Sequence, residues 1–133
     1  STSEIEQVQT FGDNDRLSAV VASITDADLL ILLSDIDGMY TDDPRTNPNA
    51  RFIHYVETID DSLIQMGKAT SGSSVGTGGM ASKIAAAMIA ANSGADMVIT
   101  NANNVENIVG ILEDIGTLFL NHRNKDFDLK ELI

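Results

Sequence analysis

Leu29-Leu30-Ile31-Leu32-Leu33 is an unbroken aliphatic run held between Asp28 and Ser34-Asp35. A short apolar run bounded by polar residues reads as a strand buried on both faces; a helix segment is the competing reading, and the flanking polar residues favour the short element. Such a strand needs a neighbour on each edge and helices over each face. It predicts a parallel sheet with this run near the centre. The flanking sequence agrees. Before it, Leu17, Val20, Val21 and Ile24 recur at helical spacing, with Asn14 or Asp15 as a cap and a stop near Thr25-Asp26. After it, Arg51–Val56 alternates as a strand, and Asp60-Asp61 caps a short helix carrying Leu63, Ile64 and Met66. Met80, Ile84, Met88 and Ala91 fall on one helical face, closed by Asn92-Ser93-Gly94. Met97–Thr100 reads as a strand, Asn103-Asn104 as the cap of a helix with Val105, Ile108, Val109 and Leu112, and Thr117–Leu120 as a last strand. Residues 1–10 alternate weakly, as an extended arm would. Alternating helices and strands predict an α/β fold, a three-layer α/β/α sandwich with a mainly parallel central sheet.

The run into the third of these helices carries the chemistry. Gly72-Ser73-Ser74-Val75-Gly76-Thr77-Gly78-Gly79-Met80-Ala81-Ser82-Lys83 sets four glycines and four hydroxyl side chains ahead of an alanine-rich segment. Glycine costs backbone entropy on folding, so a cluster implies special backbone angles or close approach to a ligand. A glycine-rich turn entering a helix presents free N–H groups backed by the positive end of the helix dipole, an arrangement suited to phosphate. Lys83 then stands near the first turn, where a cation opposes that dipole and a bound phosphate would relieve the conflict. The plainer alternative is a glycine-rich loop beside an ordinary surface lysine.

Known phosphate and metal motifs do not fit. A Walker A turn requires lysine directly after the last glycine, but Met80 follows Gly79; no G-x-G-x-x-G is present. Asp35-Ile36-Asp37-Gly38 has too few acidic positions for a calcium loop. The loop Ser34-Asp35-Ile36-Asp37-Gly38 nevertheless follows the apolar strand, where open α/β sheets bind ligands; Asp35 and Asp37 could equally be turn residues. Asp13-Asn14-Asp15 places three short polar side chains at a helix start where capping needs one. The amide of Asn14 could donate to a carboxylate, and the aspartates could accept from an amine or orient a lysine. Asp42–Asn49 is turn chemistry throughout. Met66, Met80 and Met88 read as core filler. His54 and His122 stand apart without ligand spacing, and neither is given a role.

Charge narrows the partners. The 133 residues suit one domain, and their formal net charge is −12 with only eight Lys and Arg. Nucleic acid and anionic membrane surfaces are unfavourable partners for such a chain. An anionic small ligand would need a lysine, backbone amides or a divalent cation. The absence of cysteine fits a reducing, cytoplasmic setting. No apolar run approaches the roughly 18 residues of a membrane span. The polar opening Ser1-Thr2-Ser3, without methionine, suggests a piece of a longer polypeptide.

Three blocks taken together carry a resemblance: Phe-Gly-Asp-Asn-Asp-Arg-Leu-Ser-Ala at 11–19, Leu-Leu-Ser-Asp-Ile-Asp-Gly-Met-Tyr-Thr-Asp-Asp-Pro-Arg at 32–45, and Gly-Thr-Gly-Gly-Met-Ala-Ser-Lys at 76–83. In order and spacing they resemble the glutamate 5-kinase branch of the amino acid kinase family, from about Glu4 to Leu120. The resemblance implies ATP-dependent phosphorylation of the glutamate γ-carboxylate, the first step toward proline, with Mg2+ and with proline as feedback inhibitor. It implies that Asn14 binds L-glutamate with Asp13 nearby, and that Asp15 orients the catalytic Lys83. It further implies that Ser34 and Asp35 contact ATP, and that Thr77, Gly78, Gly79, Met80, Ala81, Ser82 and Lys83 form the ATP-binding turn. A homo-oligomer is implied for the complete protein. Residues 1–133 would be the C-terminal, ATP-binding part of the kinase domain. The family's N-terminal part, with its own glycine-rich loop and lysine, has no counterpart before Asp13, and no RNA-modification-like domain follows. The alternatives are an acetylglutamate or aspartate kinase, and a non-catalytic acidic module that keeps an anion-binding turn.

Overall fold

The computed structural model describes residues 14–70, 79–103 and 116–129. The extended arm at 1–10, Asp13, Thr77 and Gly78 of the glycine-rich turn, and the helix expected from Val105 to Leu112 lie outside the described residues. Among the described residues the elements run α1 (Asn14–Ile24), β1 (Leu29–Ser34), β2 (Met39–Tyr40), β3 (Phe52–Ile53), β4 (Tyr55–Val56), α2 (Asp61–Thr70), α3 (Met80–Asn92), β5 (Asp96–Asn101) and β6 (Thr117–Phe119). The main sheet has the order β1-β5-β6-β4, and β2 pairs with β3 in a separate two-stranded sheet. β1 and β5 are parallel, β4 and β6 are parallel, and β5 and β6 are antiparallel. This is a layered α/β arrangement with a mixed, mainly parallel sheet.

β1 departs from expectation. It pairs with β5 only and forms the edge of the described sheet instead of its centre. Leu32 is buried, but Leu29 and Leu33 are 40% and 49% exposed. Apolarity along the run records what the strand needs to bury; the described neighbours cover one edge. The position of full burial belongs to β5, where Met97, Val98 and Ile99 are sealed from solvent.

Arg51–Val56 is not one strand but two. Phe52 and Ile53 pair antiparallel with Tyr40 and Met39, while Tyr55 and Val56 pair parallel with Leu118 and Phe119. His54 is the point at which the chain changes sheets; its ring packs at an angle on Phe52, with centroids 4.6 Å apart. α2 forms as expected: the Asp60 carboxylate accepts from the Leu63 N–H at 2.9 Å, a helix cap. α1 begins at Asn14, so Asn14 and Asp15 occupy its first turn instead of capping it. In α3, Met80, Ile84 and Ala91 are buried, but Met88 is 40% exposed and does not fill the core. The outward stripe is Ala81, Ala85, Met88 and Asn92, because eight residues of α-helix turn about 80° past a whole number of turns. The helix closes on Gly94, whose φ of +91° suits glycine after a C-terminus.

Two fully buried threonines show how burial and hydrogen bonding combine. Thr117 on β6 accepts from the Met39 N–H at 2.9 Å and donates to the Ile53 carbonyl at 2.5 Å, tying the β2–β3 pair to the main sheet. Gly38 beside it has no room for a side chain: a Cβ there would lie 2.6 Å from both Thr117 Oγ1 and Phe52 Cζ. Thr100 on β5 is equally buried, yet its hydroxyl has no partner among the described residues. The same substitution should therefore act in opposite directions. Thr117→Val strands a buried N–H and should cost about 1–3 kcal/mol, whereas Thr100→Val removes an unpaired hydroxyl and should be neutral or stabilising by up to about 1 kcal/mol. Urea denaturation of both variants checks this; equal losses would mean that packing, not hydrogen bonding, governs both positions.

Candidate functional site

Chain direction brings helix starts and strand ends to one edge. Asp15 contacts Lys83 near the first turns of α1 and α3, and Ser23 Oγ lies 2.8 Å from Ser93 Oγ at their far ends. The two helices therefore run side by side in the same direction. Each returns through a short turn into a strand, α1 into β1 and α3 into β5. The helix C-terminal ends thus meet the strand starts. The carboxyl ends of β1 and β5, at Ser34 and Asn101, share the edge with the helix N-terminal ends. Ligands of open α/β sheets bind outside such an edge. The helices approach closely through small side chains: Ala19, Ala22, Ala86, Ala87 and Ala90 are all buried.

Lys83 is the centre of the edge. It is only 6% exposed, and its Nζ lies 2.9 Å from Asp15 Oδ2, the two side chains being 7% and 18% exposed. A buried ammonium must be paired to remain charged, and Asp15 also offsets the dipole that a cation in the first turn opposes. The reading of Lys83 as an ordinary surface lysine is excluded. Gly79 stands at the N-cap of α3 with extended backbone and no side-chain cap, and the first turn contains no acidic residue. Ser82 N and Lys83 N bond back to the Gly79 carbonyl at 3.1 and 3.3 Å. Met80 is buried in the core, Ala81 faces solvent and Ser82 is half-buried. An uncapped helix start with a paired lysine in its first turn has the chemistry of an anion site. Asn14 is exposed beside it, at one end of an open groove of about 630 Å³ that Leu17, Val21, Leu29 and Leu30 also line.

Across the edge, Ser34 Oγ donates to Asp35 Oδ1 at 3.2 Å and accepts from the Ile36 N–H at 3.3 Å. Asp35 and Asp37 are exposed. The following loop is more tightly built than its turn composition suggests. Asp43 is buried and takes Arg45 Nε and Nη2 at 3.0 Å each, and the Arg45 N–H at 2.9 Å. Asn47 donates to Asp42 at 3.0 Å. Side-chain hydrogen bonds from Arg45, then the Arg45 N–H, hold the Asp43 carboxyl below its ordinary 3.8. The side-chain bond from Asn47, then the Asp43 N–H, does the same for Asp42. A depressed carboxylate stabilises the fold fully above its unfolded value and loses that contribution as pH falls through the lower folded value. The hydrogen bonds of Asp42 and Asp43 are therefore present at neutral pH and weaken only in acid. Among the described residues no group of three or more His, Asp or Glu is placed to hold a metal ion.

Residues 1–101 match the amino acid kinase family. Glutamate 5-kinase of Clostridium perfringens is 45% identical over 122 residues, which is 90% of this chain and 45% of that protein. Glutamate 5-kinase of Carboxydothermus hydrogenoformans is 48% identical over 99% of this chain and 35% of its own length, and that of Clostridium acetobutylicum is 50% identical over 87% and 43%. The chain thus spans between about a third and a half of the curated relatives it matches. Among solved structures, a T. acidophilum isopentenyl phosphate kinase superposes with a TM-score of 0.56 at 24% identity, over 80% of this chain and 39% of the other. A Giardia lamblia carbamate kinase bound to AMP-PNP gives 0.56 at 20%, over 83% and 32%. At those identities the likeness is one of fold.

Proposed function

The chain belongs to the amino acid kinase family, and from that premise we propose that it carries the ATP-binding part of a kinase that phosphorylates the γ-carboxylate of L-glutamate. The observation that carries the reading is the buried Lys83, held by Asp15 at the uncapped start of α3. Phosphoryl transfer asks a protein for position and charge neutralisation more than for covalent chemistry. The N–H groups at the start of α3 bind phosphate oxygens, and Lys83 offsets the negative charge on the group in transfer. Asp15 holds the ammonium in place. Asn14, in the first turn of α1, donates its amide to the substrate carboxylate, with Asp13 beside it. Ser34 and Asp35 meet the nucleotide from the β1 side. The substrate carboxylate is itself the nucleophile, so no side chain need form a covalent bond. Mg2+ fits as an ion carried by the nucleotide phosphates, since such sites usually use one or two carboxylates plus phosphate. The carboxylate available to it is the exposed Asp35, and the ion would supply further charge neutralisation. Proline as inhibitor, a homo-oligomer and a cytoplasmic setting complete the proposal.

The test is a hydroxamate assay of the complete enzyme with ATP, Mg2+ and a panel of glutamate, acetylglutamate and aspartate. Glutamate alone should give acyl-hydroxamate; product from another member instead would reassign the substrate. Asn14→Ala should raise the glutamate KM by about tenfold or more, the loss of a hydrogen bond to a charged group, with little change in the ATP KM. Equal effects on both constants would make Asn14 a structural residue of α1.

A further inference from the structure

We propose that Asn101, the last residue of β5, is a positioning residue that fixes the Ser34–Gly38 loop for the nucleotide. The proposal rests on the nucleotide reading of that loop. Parallel pairing places Ser34 beside Asn101 at the carboxyl edge. The loop that leaves Ser34 has little regular structure of its own to hold it. Its internal bonds are those of the Ser34 hydroxyl, to Asp35 Oδ1 and from the Ile36 N–H. Asn101 supplies the link to the sheet: Nδ2 donates to Asp37 Oδ1 at 3.2 Å and lies 3.5 Å from the Asp35 carbonyl.

The chemistry requires asparagine at this point. Asn101 Oδ1 accepts the Asn103 N–H at 2.9 Å. That contact needs an acceptor, so the NH2 end must face the loop, and the amide orientation is fixed by its partners. A residue here must accept on one side and donate on the other at similar reach. Aspartate offers no donor and would set a carboxylate against Asp37. Serine is too short to make both contacts. Asp37 gains a role by the same argument: it is the loop's handle, while the exposed Asp35 two residues earlier is left to face a ligand. Asn101 touches neither substrate nor reacting atoms on this account, and it acts through the loop.

The test exchanges the two partners in the complete enzyme. Asn101→Asp faces Asp37 with a like charge and should weaken binding of a fluorescent ATP analogue by about tenfold, the loss of a hydrogen bond to a charged group. The ATP KM should rise in step, with the glutamate KM within about twofold, since the substrate side of the edge is built by α1. Asn101→Asp/Asp37→Asn restores one donor and one acceptor in reversed order and should recover most of the nucleotide affinity. Failure of the double variant to recover, or a parallel rise in both KM values, would overturn the proposal. Because analogue binding needs no turnover, an enzyme that binds the analogue but does not phosphorylate glutamate would refute the substrate assignment and leave this test standing. Failure of the unsubstituted enzyme to bind the analogue would overturn both.

Discussion

Lys83→Met should reduce turnover of the complete enzyme by at least about 100-fold, the usual effect of removing one preorganised donor from a developing negative charge. The structure adds a condition on how the result is read. Lys83 is buried and paired with Asp15, so methionine takes the ammonium away from that carboxylate. Asp15 is partly exposed, which moderates the penalty, and a loss of about 1–3 kcal/mol is expected. Part of any activity loss could then reflect the fold. Lys83→Met/Asp15→Asn separates the two effects. Neutralising that carboxylate should return most of the melting temperature and none of the turnover. A double variant that regains turnover along with stability would take Lys83 out of the chemistry and leave the ion pair as a helix–helix clamp. The single variant Asp15→Asn should fall between, because the ammonium loses the carboxylate that aims it.

How far the sequence could anticipate this arrangement depends on whether each contact is local. Elements set by a local period were legible: the 3.6-residue spacing of α1, the Asp60 cap of α2, the glycine stop after α3. A glycine at the start of α3 was legible for the same reason, since Gly79 and the apolar helix are contiguous. Met88 was misread because a spacing of four, repeated, drifts off the buried face. The edge position of β1 was not legible, because an apolar run states a demand for cover and not which segment meets it. Arg51–Val56 alternates identically whether it is one strand or two, so the change of sheet at His54 leaves no trace in the pattern. The Lys83–Asp15 pair joins residues 68 positions apart; no local rule encodes it, and the expectation that Asp15 orients Lys83 came from the family resemblance. Asp43 was read as a turn residue, and Asn101 was given no reading. The signal that was available for Asn101 was its place: a polar side chain with both donor and acceptor at the carboxyl end of a strand parallel to β1.

The 133-residue polypeptide by itself should self-associate and form no glutamyl phosphate. The exposed face that drives association is specific. Among the described residues β1 is paired along one edge only, and its second edge offers N–H and C=O groups to any strand that approaches. Beside it, Val21 and Ile24 of α1 are 51% and 70% exposed, and Leu29 and Leu33 of β1 are 40% and 49% exposed. Val21 and Leu29 border the open groove between α1 and β1. A contiguous apolar surface next to an unpaired strand edge invites a second chain. Inactivity follows from charge. ATP and glutamate bring several negative charges to a chain already at −12, and Lys83 at the edge is already partnered by Asp15. Each further preorganised donor that the chain lacks typically costs about 100- to 1,000-fold in rate. Analytical ultracentrifugation across a concentration series, with a hydroxamate assay on the same samples, tests both statements. Sedimentation should show mass rising with concentration, and Leu29→Lys/Leu33→Lys should return the chain toward monomer by charging the free edge. A monodisperse monomer at all concentrations would mean that the α1–β1 face is covered within this chain. Saturable, glutamate-dependent turnover at ordinary kinase rates of roughly 1–100 per second would mean that the 133 residues hold every group the reaction needs.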